Sequence, residues 1–166
     1  MIEIRPEQPG DIPAIRDVNR CAFGRDEESK IVDALRANGA AVLSLVAAAD
    51  GRVVGHIMYS PLLVGGVQGA ALGPMAVLPK HQHRGISSSL VEAGTRHLRH
   101  DGCPFIAVLG HATFYPRFGF RPAGTYGITC EWDVPDDVFM VLVLDEAKMS
   151  GVIGMAHYRT EFSTVS

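Results

Sequence analysis

Leu72-Gly73-Pro74-Met75-Ala76-Val77-Leu78-Pro79-Lys80-His81-Gln82-His83-Arg84-Gly85-Ile86-Ser87-Ser88-Ser89-Leu90 changes backbone habit twice in one short run. Its first part is apolar and reads as the end of a strand, which Pro79 closes. A polar loop follows, and from about Gly85 to His100 the spacing predicts a helix with Ile86, Leu90, Val91, Gly94 and Leu98 on one face. Asp101-Gly102 stops that helix, and residues 105–109, Phe-Ile-Ala-Val-Leu, form a short strand with little polar alternation. A strand, a helix and a strand in this order demand a right-handed crossover and a parallel pair. That unit sets the fold class.

Working outward toward the N-terminus, residues 2–5 alternate apolar and charged as a short strand does. Asp11 is placed to cap a helix carrying Pro13 in its first turn, with Ile12, Ile15, Val18 and Asn19 as its face and Phe23-Gly24 at its end. A second helical pattern shows Ile31, Val32 and Leu35 on one side and Gly39 just beyond. From Val42 the period becomes two. Residues 42–49, Asp50-Gly51 and residues 52–59 predict a hairpin, with Pro61 bending or ending its second strand. Gly65-Gly66 turns the chain into a third strand, residues 67–78, so the centre is an antiparallel meander. Past residue 109 the reading is a helical turn at 112–117, a strand at 118–122, a loop rich in Asp and Pro, and a last strand at 138–144. The whole is an α/β domain with a mixed sheet: a core of about residues 2–144 and a tail, 145–166, whose Val152-Ile153-Gly154-Met155 is apolar enough to pack on it.

The 166 residues hold 15 Lys and Arg against 18 Asp and Glu, a net charge of −3. Such a balance argues against nucleic acid as a partner, because phosphate neutralisation needs a basic face. A single domain of this length buries about 70% of its unfolded surface without help from disulfides. No stretch of about 18 apolar residues is present, so no membrane span is expected. Met1-Ile2-Glu3-Ile4-Arg5 has no apolar signal region. Cys21, Cys103 and Cys130, odd in number and far apart, read as reduced thiols of a cytoplasmic protein. The residues fix no oligomeric state, and a homodimer stays open.

The chemistry sits where the polar loop meets the helix. Gly85, Ser87 and Ser88 leave backbone N–H groups unshielded at the positive end of a helix dipole, a ready site for a phosphate or pyrophosphate, and Arg84 adds a charged contact. Two other phosphate-binding patterns fail. No G-x-x-x-x-G-K-[ST] occurs, and no G-x-G-x-x-G follows a strand.

Gln82-His83-Arg84-Gly85-Ile86-Ser87 resembles the Q/R-x-x-G-x-G/A signature of the GNAT superfamily of acetyl-CoA-dependent N-acetyltransferases, with Ser87 where Gly or Ala is usual. Phe114-Tyr115-Pro116-Arg117-Phe118-Gly119-Phe120 is similar to that family's aromatic-Tyr-x-x-x-Gly-Phe segment. The two blocks lie in the family's order and on its elements, over about residues 2–144. The resemblance implies the acyl-CoA N-acyltransferase fold, with an antiparallel meander followed by a splayed parallel pair. It implies acetyl-CoA as cosubstrate, with Gln82, His83, Arg84, Gly85, Ile86, Ser87 and Ser88 around its pyrophosphate. Met75, Ala76 and Val77 would offer backbone groups to the pantetheine arm as an added strand would.

The same resemblance makes Tyr115 the general acid that protonates the leaving thiolate. A base is less evident, because residues 72–77 hold no Asp, Glu or His. Glu28, on a loop after the first helix, is one candidate, His111 another, and water alone a third. His97 and His100 have only Asp101 nearby as a supporting ligand, so no metal is expected. The implied reaction is acetyl transfer to a primary amine by direct attack in a ternary complex. The alternative is a non-catalytic acyl-CoA sensor with the same fold. The loops 25–28 and 131–137, rich in Asp and Glu around Trp132, are expected to border the acceptor with an acidic rim.

Overall fold

The computed structural model describes residues 1–164. In chain order its elements are β1 (Ile2–Pro6), α1 (Ile12–Phe23), α2 (Glu27–Ala37), β2 (Leu43–Ala49), β3 (Arg52–Val64), β4 (Val67–Val77), α3 (Ile86–His100), β5 (Phe105–Leu109), β6 (Arg121–Pro122), β7 (Ile128–Cys130), β8 (Phe139–Val143), α4 (Glu146–Met149) and β9 (Gly154–Ala156). One seven-stranded sheet has the order β1-β2-β3-β4-β5-β8-β6, and β7 pairs with β9 in a separate two-stranded sheet. The meander β1 to β4 is antiparallel, and β4 and β5 are the parallel pair joined through α3. This is the mixed α/β arrangement that the central run of sequence predicts.

The sheet is covered on both faces, which explains why β3 reads as an almost unbroken apolar run. Leu45, Ala47, Ile57 and Tyr59 point to α3 and meet its buried Ile86, Leu90, Val91 and Leu98. Val46, Met58 and Ala76 point the other way, to Ile15 and Val18 of α1 and Ile31, Val32 and Leu35 of α2. The hairpin turn takes the positive φ values that Asp-Gly permits, 51° at Asp50 and 80° at Gly51. Gly94 has a packing reason: a Cβ there would run into the Tyr59 side chain.

Several local readings are corrected. Asp11 does not cap α1. Its carboxylate takes the Gln8 N–H at 2.8 Å and two bonds from Arg5 at 2.7 and 3.0 Å, closing a 3-10 turn that precedes the helix. Pro61 neither ends nor breaks β3, because β2 pairs only as far as Tyr59. Beyond that point the side of β3 away from β4 needs no proline N–H, and Leu63 on the same side bonds to His157. Residues 112–114 are a turn and Tyr115–Phe118 a 3-10 helix, so the strand expected from 118 shrinks to Arg121–Pro122. Glu28 belongs to the first turn of α2, not to a loop. Strands β7 and β9 went unread because each is three residues long and pairs only with the other, too short for a period to show. Residues 165 and 166, the end of the 145–166 tail, lie outside the described residues.

One buried polar group stands inside the α1 face. His56 of β3 is fully buried, with Nε2 2.9 Å from Ser44 Oγ and Nδ1 3.3 Å from Asn19 Nδ2. Ser44 donates to Glu7, which Arg36 holds through two bonds of 2.9 and 2.7 Å. Burial holds the imidazole pKa down to about 4, against the pull of Glu7 and with the push of Arg36. An unfolded histidine titrates near 6.5, so between about 6.5 and about 4 the unfolded chain binds the extra proton. Stability therefore falls as pH falls through that window. Urea midpoints measured from pH 7.5 to 4.5 are expected to show this decline, and His56→Gln, which cannot titrate, to flatten it.

Candidate active site

The parallel pair is short by construction. Ile57 pairs with Met75 and Tyr59 with Leu72, so Gly73 and Pro74 together oppose the single residue Met58. This bulge reverses the phase of β4: Leu72 and Met75, three apart, both face the α3 side. Pairing with β5 runs only through Ala70, Ala71 and Leu72, opposite Ile106, Ala107 and Val108. Beyond Leu72 the two strands part, leaving one edge of Met75, Ala76 and Val77 without a strand beside it.

The parting opens into a cleft of about 1140 Å³. Its wall includes Met75, Ala76 and Val77, the loop residues Gln82 and His83, and Gly85, Ile86, Ser87 and Ser88 at the start of α3. Across from them lie Gly110, His111 and Tyr115. Arg84 is exposed and is not part of the wall.

Gly85 stands at φ 80° before α3, and no side chain caps the helix. Ser89 N–H is the first to find a helical carbonyl, that of Gly85 at 3.1 Å. The preceding N–H groups are the free donors of a fifteen-residue helix, with its dipole behind them. His83 also holds a positive φ, 63°, which turns the loop sharply toward the helix. Gln82 ties that loop to the end of β4, donating from Nε2 to the Val77 carbonyl at 3.0 Å.

Tyr115 is 6% exposed, in edge-on contact with Phe114 at 5.0 Å and Phe120 at 5.5 Å between ring centres. Burial pushes its phenol up to about 12, so it carries its proton throughout the neutral range. Tyr59 lies deeper, its hydroxyl without a hydrogen-bond partner, raised first by burial and then by the neighbouring Tyr115. The sequence reading missed Gly110. A Cβ at that position would strike the Tyr115 ring, so only glycine leaves the phenol its seat. A glycine directly after a strand and five residues before the aromatic was the available signal.

The far side of the cleft is built from other parts of the chain. Phe23 closes α1, Glu28 and Ile31 come from α2, and Trp132, Val134, Tyr158 and Phe162 from the C-terminal region. Glu28 is buried and held by Arg25 through Nε to Oε1 at 3.0 Å and Nη2 to Oε2. The acidic rim is not what the loops make. Alternation turns Trp132 and Val134 inward and leaves Glu131, Asp133, Asp136 and Asp137 exposed and off the wall. Among the described residues Glu28 is the one acidic side chain lining the cleft. Also among the described residues, no three His, Cys, Asp or Glu side chains gather as a metal site, and no helix is long and apolar enough to cross a membrane.

Known proteins share this fold. The Acetyltransferase (GNAT) family profile matches residues 12–120. The chain is 35% identical over 163 residues to the uncharacterized N-acetyltransferase YhbS of Escherichia coli strain K12, covering 96% of this chain and 98% of YhbS. The crystal structure of the GNAT family N-acetyltransferase YhbS from Escherichia coli in complex with CoA matches with a TM-score of 0.95 at 34% identity, over 99% of this chain and 93% of that one. A GNAT family acetyltransferase from Brucella melitensis in complex with acetyl-CoA matches with a TM-score of 0.81 at 35% identity, over 98% of each chain.

The packing of Tyr115 on residue 110 has a measurable consequence. Gly110→Ala is expected to lower stability by about 1–3 kcal/mol through overpacking. In a Tyr115→Ala background most of that penalty should disappear, because the ring it strikes is gone. A double-mutant cycle by urea denaturation reads the coupling directly.

Proposed function

The chain belongs to the GNAT acetyltransferase family, and on that premise we propose that it transfers the acetyl group of acetyl-CoA to a primary amine by direct attack in a ternary complex. One observation carries this reading: a single cleft joins the free edge of β4, the uncapped start of α3 and the protonated Tyr115. The solved complexes of its relatives with CoA and acetyl-CoA support it.

The N–H groups from Arg84 to Ser88 receive the pyrophosphate, favoured by the helix dipole by about 0.3–1 kcal/mol per charge near the surface and more when partly buried. Ser87 and Ser88 are small enough to let phosphate oxygens approach the backbone. Gln82 and His83 shape the loop, Ile86 anchors the helix in the core, and the exposed Arg84 adds positive charge at the mouth. Met75, Ala76 and Val77 pair with the pantetheine amides along the edge that β5 leaves open.

The acceptor amine attacks the thioester carbonyl carbon, the C–S bond breaks, and Tyr115 gives its proton to the departing sulfur. The buried phenol is fully protonated in the neutral range, so its proton is in place when the sulfur departs. Glu28, fixed by Arg25 on the acceptor side, takes the proton lost by the attacking nitrogen, directly or through a water.

Tyr115→Phe is expected to lower kcat by about 10²–10⁴-fold while the acetyl-CoA Kd stays within a few-fold. Gly85→Val should act the other way, weakening CoA binding severely, because φ 80° is closed to a β-branched residue. Calorimetric titration with CoA and mass detection of acetylated products separate the two effects. CoA binding without product across a broad amine panel would make the protein an acyl-CoA sensor.

A further inference from the structure

Resting on that reading, we propose that the acceptor is a primary amine carried on a bulky apolar group, an arylalkyl or alkyl chain, and that the wall of Trp132, Tyr158 and Phe162 selects it. The rings of this wall are continuous, with Trp132 4.7 Å from Tyr158 and Tyr158 5.5 Å from Phe162 between centres. Tyr158 lines the cleft, yet its hydroxyl is buried away from solvent, raised by that burial and by Cys130 and Glu131 beside it. Val134 is in the same lining, and so is Phe23, 40% exposed at the end of α1. An exposed phenylalanine in the same lining as a wall of rings extends an apolar surface that a ligand covers.

The wall is held in place before any ligand arrives. Leu63 and His157 exchange two backbone bonds of 3.2 and 2.8 Å, and Tyr158 N–H donates to Glu131 at 2.8 Å. Asn38 of the α2 end donates to Glu161 at 2.9 Å, one residue before Phe162. A pre-ordered apolar wall costs little to use and rewards rigid hydrophobic ligands.

Charge narrows the choice. Glu28 is the single carboxylate on the cleft wall among the described residues, and with both oxygens already bonded to Arg25 it has room for one further amino group at most. A polyamine or a basic peptide needs several, and the acids of the 131–137 loop face outward while Arg117 lines the cleft. An amphipathic amine, with one polar end at Glu28 and an apolar body against the rings, fits both facts.

Trp132 is the only tryptophan, so its emission reports on this wall alone. The full chain with CoA bound is titrated with 2-phenylethylamine and hexylamine, and with ethanolamine and spermidine. Saturable changes are expected with the first two, at concentrations at least about tenfold lower than with the others, and kcat/KM should follow the same order. Phe162→Ala should weaken the response by about tenfold, Phe162→Leu should restore most of it, and Phe23→Ala, at an exposed position, provides a second variant if the first folds poorly. Equal or better use of ethanolamine or spermidine, or no change in Trp132 emission with either apolar amine at millimolar concentration, overturns the proposal. A saturable Trp132 response without acetylated product from any amine upholds the pocket and overturns the transfer reading instead.

Discussion

The rest of the molecule depends on a bulge of one residue. Because Gly73 and Pro74 share one partner, β4 cannot keep both its pairing with β3 and its pairing with β5. It keeps the first, and the second ends at Leu72. A parallel pair buried between helix layers is normally continuous, since unpaired backbone away from water costs about 1–3 kcal/mol per group. The parted strands are tolerable only because the gap is an open cleft, where solvent or a ligand backbone satisfies what the neighbour does not. The phase reversal has a second effect: Met75 and Val77 stay packed on the α3 core while their backbone edge is free, so the exposed edge is rigid.

Burial is used differently on the two sides of the sheet. On the α1 side it encloses hydrogen-bonded polar groups, His56 with Ser44 and Asn19, and behind them the Glu7–Arg36 pair. These bonds fix the entry of α1 and α2 onto β2 and β3, at the expense of tolerance to acid. On the α3 side burial encloses phenols, Tyr59 without a partner and Tyr115 at the cleft wall. Both are pushed away from ionisation, and a group that never ionises near pH 7 keeps its proton available. Two glycines make room for these rings, Gly94 for Tyr59 and Gly110 for Tyr115.

The cleft is assembled from two parts of the chain that lie far apart in sequence. The wall made by the end of β4, the start of α3 and Tyr115 lies within residues 12–120, the span that matches the family. Four residues of the opposite wall, Trp132, Val134, Tyr158 and Phe162, lie beyond that span. The β7–β9 pair and the Asn38–Glu161 bond bring this later segment back to the cleft.

Local signals determined much of this protein. Apolar periods of 3.6 and 2 placed the three long helices and the meander, Asp50-Gly51 placed the hairpin, and the spacing from Gln82 to Ser88 marked the helix start that faces the cleft. Each of these is a property of neighbouring residues, legible without knowing what packs where. The tertiary structure alone decided the rest. Pro61 continues a strand because its missing N–H faces no β2 partner, Glu28 is buried because the first turn of α2 sets it against the cleft wall, and Trp132 turns inward while the acids around it turn out. The wall that Trp132 shares with Tyr158 and Phe162 joins residues some thirty apart, and no local pattern encodes a surface whose members meet only after the C-terminal segment has crossed back over the sheet.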